Sequence, residues 1–195
     1  MSKSNLSSLT KKYIMGMSGI FLVVFLIVHS GINSLIFLGD GGETFKHVAH
    51  FMGTNIVMRI MEIGLVIGFI AHIIDGLVLW YQNSKARPQG YAKSNASDNS
   101  PWYSRSMGIL GTLLLLFLIV HTADFWIPNR ANQFATGQER DLFAMMQSEF
   151  SHLWVVIIYV LGCVALFWHL LHGFKSAFQS LGLNHHKYNG VIEKT

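Results

Sequence analysis

Hydrophobic and polar positions along the chain fall into long blocks, without the short alternation of soluble helices or strands. Four blocks are apolar almost throughout, at about Ile14–Leu38, Ile56–Tyr81, Met107–Ile127 and Leu153–Phe174. A bilayer core about 30 Å thick takes roughly 20 helical residues, so each block is long enough to cross it. Aromatic residues stand at the block ends (Tyr13, Trp80, Tyr81, Trp102, Tyr103, Trp126, Trp154), as in an interfacial belt. The first block is too long for a signal-peptide core and no small-residue cleavage site follows it, so it reads as a retained helix. The pattern predicts an all-α, polytopic transmembrane helical bundle, with residues 1–195 as a single membrane domain.

Composition agrees. Hydrophobic residues make up 51% of the chain and charged residues 12%, about half the usual charged share of soluble domains, and the mean hydropathy is +0.40. The net charge of +4 carries information only when divided between the two sides. With a cytoplasmic N-terminus, Lys3, Lys11, Lys12, Lys85, Arg87, Lys93, Arg105, Lys175, Lys187 and Lys194 share one side. Lys46, Arg59, Arg130 and Arg140 are left for the other. That bias satisfies the positive-inside rule with the N-terminus in. The basic residues are scattered, so no nucleic-acid footprint forms. Between the second and third blocks, "NSKARPQGYAKSNASDNSPWYSR" reads as a polar cytoplasmic loop. In an outer loop, "RDLFAMMQSEF" spaces Leu142, Met145, Met146 and Phe150 as on a short helix. The single cysteine, Cys163, lies within an apolar block and is expected to pack there.

Each block contains one histidine well inside it: His29, His72, His121 and His169. Ionisable residues in the hydrocarbon region are costly and usually mark function. At about 1.5 Å per helical residue, each lies roughly 20 Å from its helix start. Successive helices run in opposite directions, so the equal counts alternate between leaflets. His29 with His121 and His72 with His169 therefore form two depth-matched pairs. Two imidazoles facing each other across a bundle core meet the axial requirement of a six-coordinate haem iron.

Small residues accompany two of the histidines. Gly64, Gly68, His72 and Gly76 make one stripe at i+4 spacing. Gly162, Ala165, His169, Gly173 and Ser176 make another. Such faces admit a flat macrocycle close to the backbone, and they equally suit close helix packing. Zinc fares worse, because no cysteine or carboxylate cluster supplies three or four converging ligands. A histidine-bearing membrane transporter or proton-conducting protein, using Asp75 and Asp124, is the alternative. It does not account for two depth-matched pairs.

The segments "KKYIMGMSGIFLVVFLIVHSGIN", "RIMEIGLVIGFIAHIIDG", "KARPQGY", "LIVHTADFW" and "HLLHGFKSAFQSLG" resemble the di-haem cytochrome b membrane anchor of bacterial succinate:quinone oxidoreductases, the succinate dehydrogenases and fumarate reductases. The resemblance covers nearly the whole chain in order. It implies two haem b groups, with His29 and His121 as axial ligands of the outer one and His72 and His169 of the inner one. It also implies a flavoprotein subunit and an iron–sulfur subunit on the cytoplasmic side, a quinone (menaquinone in this class) as electron partner, and the bacterial cytoplasmic membrane as location. The dicarboxylate site would lie in the flavoprotein and not in this subunit. The family has a fifth membrane helix, and the chain ends at "HHKYNGVIEKT" about where it would start, which reads as truncation.

Ser18, Trp102, Arg105, His172 and Lys175 lie near the cytoplasmic edge and are candidates for the haem propionates, where hydrogen bonds or charge offset carboxylate burial. Interfacial anchoring explains them equally well. Quinone reduction needs hydrogen-bond partners for both carbonyls and a proton path. Asn33, His47, His50, Glu62 and Asp124 are the candidates near the outer pair. Asp124 has an equal reading as partner of a ligand on a neighbouring helix or as a cap.

Overall fold

The computed structural model describes residues 7–85 and 102–183. The loop motif "KARPQGY" and the polar C-terminal "HHKYNGVIEKT" lie wholly or almost wholly outside these. The described residues are mostly helical, with no strand among them. Four helices have the length and apolarity to cross a membrane: Leu9–Leu38, Ile56–Lys85, Met107–Thr136 and Leu153–Ser180. The protein is a multi-pass membrane protein with an all-α fold.

In chain order, α1 is Ser8–Ser34, followed by a 3-10 turn at Leu35–Leu38. Next come α2 (Glu43–Thr54), α3 (Ile56–Lys85) and the single turn α4 (Trp102–Arg105). Then α5 (Met107–His121) passes through a π-turn at Thr122–Trp126 into α6 (Ile127–Thr136). The chain closes with α7 (Leu142–Phe150) and α8 (Leu153–Ser180).

The start signals are local. Asn55 begins α3 by accepting from the Val57 N–H at 2.9 Å. Asp141 caps α7 by accepting from the Ala144 N–H at 3.0 Å, and either bond satisfies an amide that a helix start leaves orphaned. Asp40 accepts from the Gly42 and Thr44 amides, both at 2.9 Å. The hydrogen bonds from Thr44 hold its carboxyl below the usual carboxylate range. Gly42 adopts φ +83, and a Cβ there would stand 2.5 Å from the Phe143 ring, so both backbone and contact require glycine. This turn lets Phe45 of α2, only 3% exposed, pack on Phe143 of α7.

The third long helix continues past Ile127, where its apolar block ends. Pro128 explains how. Proline offers no N–H, and its ring would crowd the carbonyl of Asp124 four residues back. The π-turn opens the ladder there, with the Ile127 N–H bonding Thr122 O. The helix continues through the proline and is not stopped. One helical face of α3 leaves Ile60, Ile63, Ile67, Ile70, Ile74 and Leu77 all at least 47% exposed. A row of large apolar side chains at that spacing is a lipid-facing stripe, since a water-facing one would be an association hazard. Cys163, expected to pack, is exposed on α8, because the packed face there belongs to the buried Gly162 and Ala165.

The chain divides into two compact units. One contains, of the described residues, 7–23, 67–85, 102–112 and 165–183, with Leu22, Leu110, Ala165 and Ala177 as its buried apolar residues. The other contains Val24–Val66 and Leu113–Val164, with Phe45 and Val155 buried.

Candidate functional site

Each unit holds one pair of histidines. In the unit containing Val24–Val66, the rings of His29 (α1) and His121 (α5) have centres 5.7 Å apart and planes at 87°. In the other, His72 (α3) and His169 (α8) are 6.3 Å apart at 70°. These are the partners that the depth count pairs. All four are half-buried.

An imidazole nitrogen sits about 2 Å from a bound metal with its ring centre roughly 1.2 Å further out, so two rings sharing one ion would have centres about 6.4 Å apart. The His72–His169 spacing of 6.3 Å is close to this, and the His29–His121 spacing of 5.7 Å falls below it. One ring in each pair, at His121 and His169, has a buried Nδ1 without a hydrogen-bond partner. A buried, unsatisfied nitrogen costs about 1–3 kcal/mol. Among the described residues no three His, Cys, Asp or Glu converge as a metal cluster. The donor set of two neutral imidazoles per site fits the axial needs of haem iron. Glycines stand beside the His72–His169 pair. A Cβ on Gly19 would lie 3.6 Å from His72 Cε1, and one on Gly111 4.0 Å from His169 Cε1.

The two small-residue stripes do different things along their lengths. A Cβ at Gly68 would meet Phe21 at 3.0 Å, and one at Gly162 would overlap the Phe117 ring at 2.5 Å. These two positions are close helix packing. Gly64 and Gly173 face no atom within 4 Å.

Around His121 the rings of Phe117, Phe125 and Tyr159 form an aromatic box, with centres 5.7–5.8 Å away. Tyr159 donates its hydroxyl to Asp124 Oδ2 at 2.8 Å. Asp124, in the π-turn, thus bonds a group on a neighbouring helix that touches His121. Sequence reasoning missed Tyr159, since a lone tyrosine in an apolar block carries no pattern of its own. Asn33 donates to His29 O at 2.8 Å and stands 3.1 Å from His29 Nε2.

Glu62 accepts from Trp126 Nε1 at 2.6 Å, from Arg130 Nε and Nη2 at 2.8 Å each, and from Arg59 Nη1 at 3.1 Å. Arg130 also donates to Gln133. His50 pairs with Glu139 at 3.0 Å on the surface of α2, and His47 is exposed on the same helix. Of the propionate candidates, Ser18 lies 3.1 Å from His72 Nδ1. Trp102 packs on Trp168, ring centres 5.0 Å apart, beside the Tyr103–Trp168 stack. His172 is half-buried on α8, while Arg105 and Lys175 are exposed at the end of α4 and on α8.

The chain matches no family model, no curated protein and no solved structure.

Proposed function

We propose that the chain is the membrane anchor and electron-transfer subunit of a succinate:quinone oxidoreductase. In this reading it binds two b haems through His29 with His121 and through His72 with His169. The observation that carries it is the pair of imidazole–imidazole spacings, 5.7 and 6.3 Å, one in each unit. The segment-by-segment resemblance described above supports the same reading.

When bound, a haem in each site supplies a one-electron carrier. The chain's residues do the rest. His29 with His121, and His72 with His169, would hold the iron of each haem, and such a pair of imidazoles would suit electron transfer over oxygen chemistry. Phe117, Phe125 and Tyr159 pack their rings around His121 and restrict its motion. Gly19 and Gly111 keep side chains away from the edges of His72 and His169. Electrons would enter from an iron–sulfur partner on the cytoplasmic side and leave to a membrane quinone, menaquinone in this class. Asn33, His47, His50, Glu62 and Asp124 remain the residues proposed for the quinone, with Glu62 and Asp124 already engaged by Arg130 and Tyr159.

One observation favours the second reading, a proton-conducting or transport protein. Asp75 is buried within α3, and its Oδ2 accepts no hydrogen bond. A carboxyl group so placed is costly and marks function more often than packing. Pyridine haemochrome analysis and EPR of the purified protein separate the two. Two low-spin haems per chain are expected, and a haem-free protein sinks the first reading and promotes the second.

A further inference from the structure

We propose that Ser18 fixes the tautomer of His72, placing its proton on Nδ1 and leaving the Nε2 lone pair as the ligand atom. The use made of Nε2 rests on the di-haem reading; the tautomer does not.

The assignment follows from counting protons along three atoms. Ser18 Oγ lies 3.2 Å from the Met15 carbonyl oxygen and 3.1 Å from His72 Nδ1. A backbone carbonyl only accepts, so the single hydroxyl proton goes to Met15. The oxygen lone pairs then face Nδ1, which must carry the imidazole's proton. A neutral imidazole has one N–H, so Nε2 is left as an acceptor or ligand. Every atom in this chain is satisfied. The reverse order would leave the Met15 contact without its proton.

The surroundings sustain the arrangement. Ser18 sits on α1 one residue before Gly19, where an added Cβ would lie 3.6 Å from His72 Cε1, so this turn of the helix stands beside the His72 ring. The other three rings are held differently. His121 and His169 have buried Nδ1 atoms without partners, and the Asn33 amide at His29 contacts Nε2. His72 is therefore the preorganised member of its pair, with a partner of the kind that orients metal-binding imidazoles. The role differs from the propionate contact expected of Ser18, because a hydroxyl whose one proton goes to Met15 has none to donate to a carboxylate.

The test uses the full chain with ¹⁵N-labelled histidine in lipid nanodiscs, prepared without haem, at about pH 8, where an ordinary imidazole is neutral. Two-bond ¹H–¹⁵N correlation spectra report the tautomer, with His72→Ala identifying the signal. The Nδ1–H form is expected to dominate at His72. Ser18→Ala should lower its ratio to the Nε2–H form about fivefold, the bias of one neutral hydrogen bond. Ser18→Thr keeps the hydroxyl and should restore it. A wild-type Nε2–H form, or a ratio unmoved by Ser18→Ala, overturns the inference. In the haem-loaded complex Ser18→Ala should also shift the low-spin EPR signal that His72→Ala removes. A shift there with an unmoved tautomer ratio points to a propionate contact and overturns the inference. A wild type that binds no haem overturns the di-haem reading alone.

Discussion

His29 and His121 meet edge to face, ring centres 5.7 Å apart, although they come from the first and third membrane-spanning helices. His72 and His169 do the same from the second and fourth. Nothing in the short-range sequence joins these residues; only helices that cross in the same direction, with their histidines at matched depth, do. Two half-buried imidazoles in apolar surroundings gain little from each other, since neither has a charge to offer. The economical account of both pairs is a ligand that both rings share.

If each pair holds one haem, the effects of substitution should sort by pair and not by position in the chain. His72→Ala and His169→Ala should each remove the same low-spin EPR component, and His29→Ala and His121→Ala the other. Haem content by pyridine haemochrome should fall from two to about one per chain, with residual high-spin haem wherever one ligand survives. Loss of one common component from His29→Ala and His72→Ala would contradict the pairing.

Glu62 is the hub of the unit containing Val24–Val66, taking four N–H donors from Arg59, Trp126 and Arg130. Its side chain is 21% exposed and that of Arg130 14%, so screening by solvent is limited. Glu62→Ala would leave two guanidinium groups facing each other without their anion. The cost should be about 2–3 kcal/mol, somewhat under the figure for a fully buried pair. Glu62→Gln keeps one acceptor oxygen and should cost less. Thermal unfolding in detergent ranks the two. Equal stability of Glu62→Ala and wild type would mean that the arginines find other partners.

The bundle and its histidine pairs were legible in the sequence because both rest on long-range regularities. Apolar blocks near the length of a bilayer leave little choice of element, and equal helical counts place His29 with His121 and His72 with His169. What was not legible depended on single contacts. Pro128 signals a break, but whether a helix stops or opens a π-turn depends on what packs beyond it. The Glu62–Arg130 pair joins residues from separate blocks with no motif between them. The glycine stripes read alike in sequence, yet Gly162 lies against Phe117 and Gly173 against nothing within 4 Å. Ser18 reads in sequence as a polar group near one edge, whereas its partner, the His72 ring, is set by how α1 and α3 pack.

The Tyr159–Asp124 bond offers a second handle on His121. A hydrogen bond to a charged group contributes about 1.5–3 kcal/mol, and here it also holds a ring against the imidazole. Tyr159→Phe and Asp124→Asn should each destabilise the protein and shift the low-spin signal that His121→Ala removes. Combined, they should cost little more than either alone, because the second change finds the bond already broken. A double-mutant cycle on stability and on the EPR signal measures this. Additive effects would show that the two residues act on the site separately.

Gly162 tests whether the packing on α8 reaches a ligand. A Cβ at this position would stand 2.5 Å from the Phe117 ring, and Phe117 stacks on His121 with ring centres 5.7 Å apart and planes at 22°. Aromatic rings in a packed face cannot yield by a rotamer alone, so Gly162→Ala must move Phe117 and, through it, His121. Overpacking of this kind costs about 1–3 kcal/mol. The low-spin signal assigned to His29 and His121 should broaden or shift, while the one assigned to His72 and His169 stays in place. Cys163→Ala is the control on the same helix, since Cys163 is exposed outside the packed face, and it should leave both signals and the stability unchanged. If Gly162→Ala instead disturbs the His72 and His169 signal, the coupling does not run through Phe117.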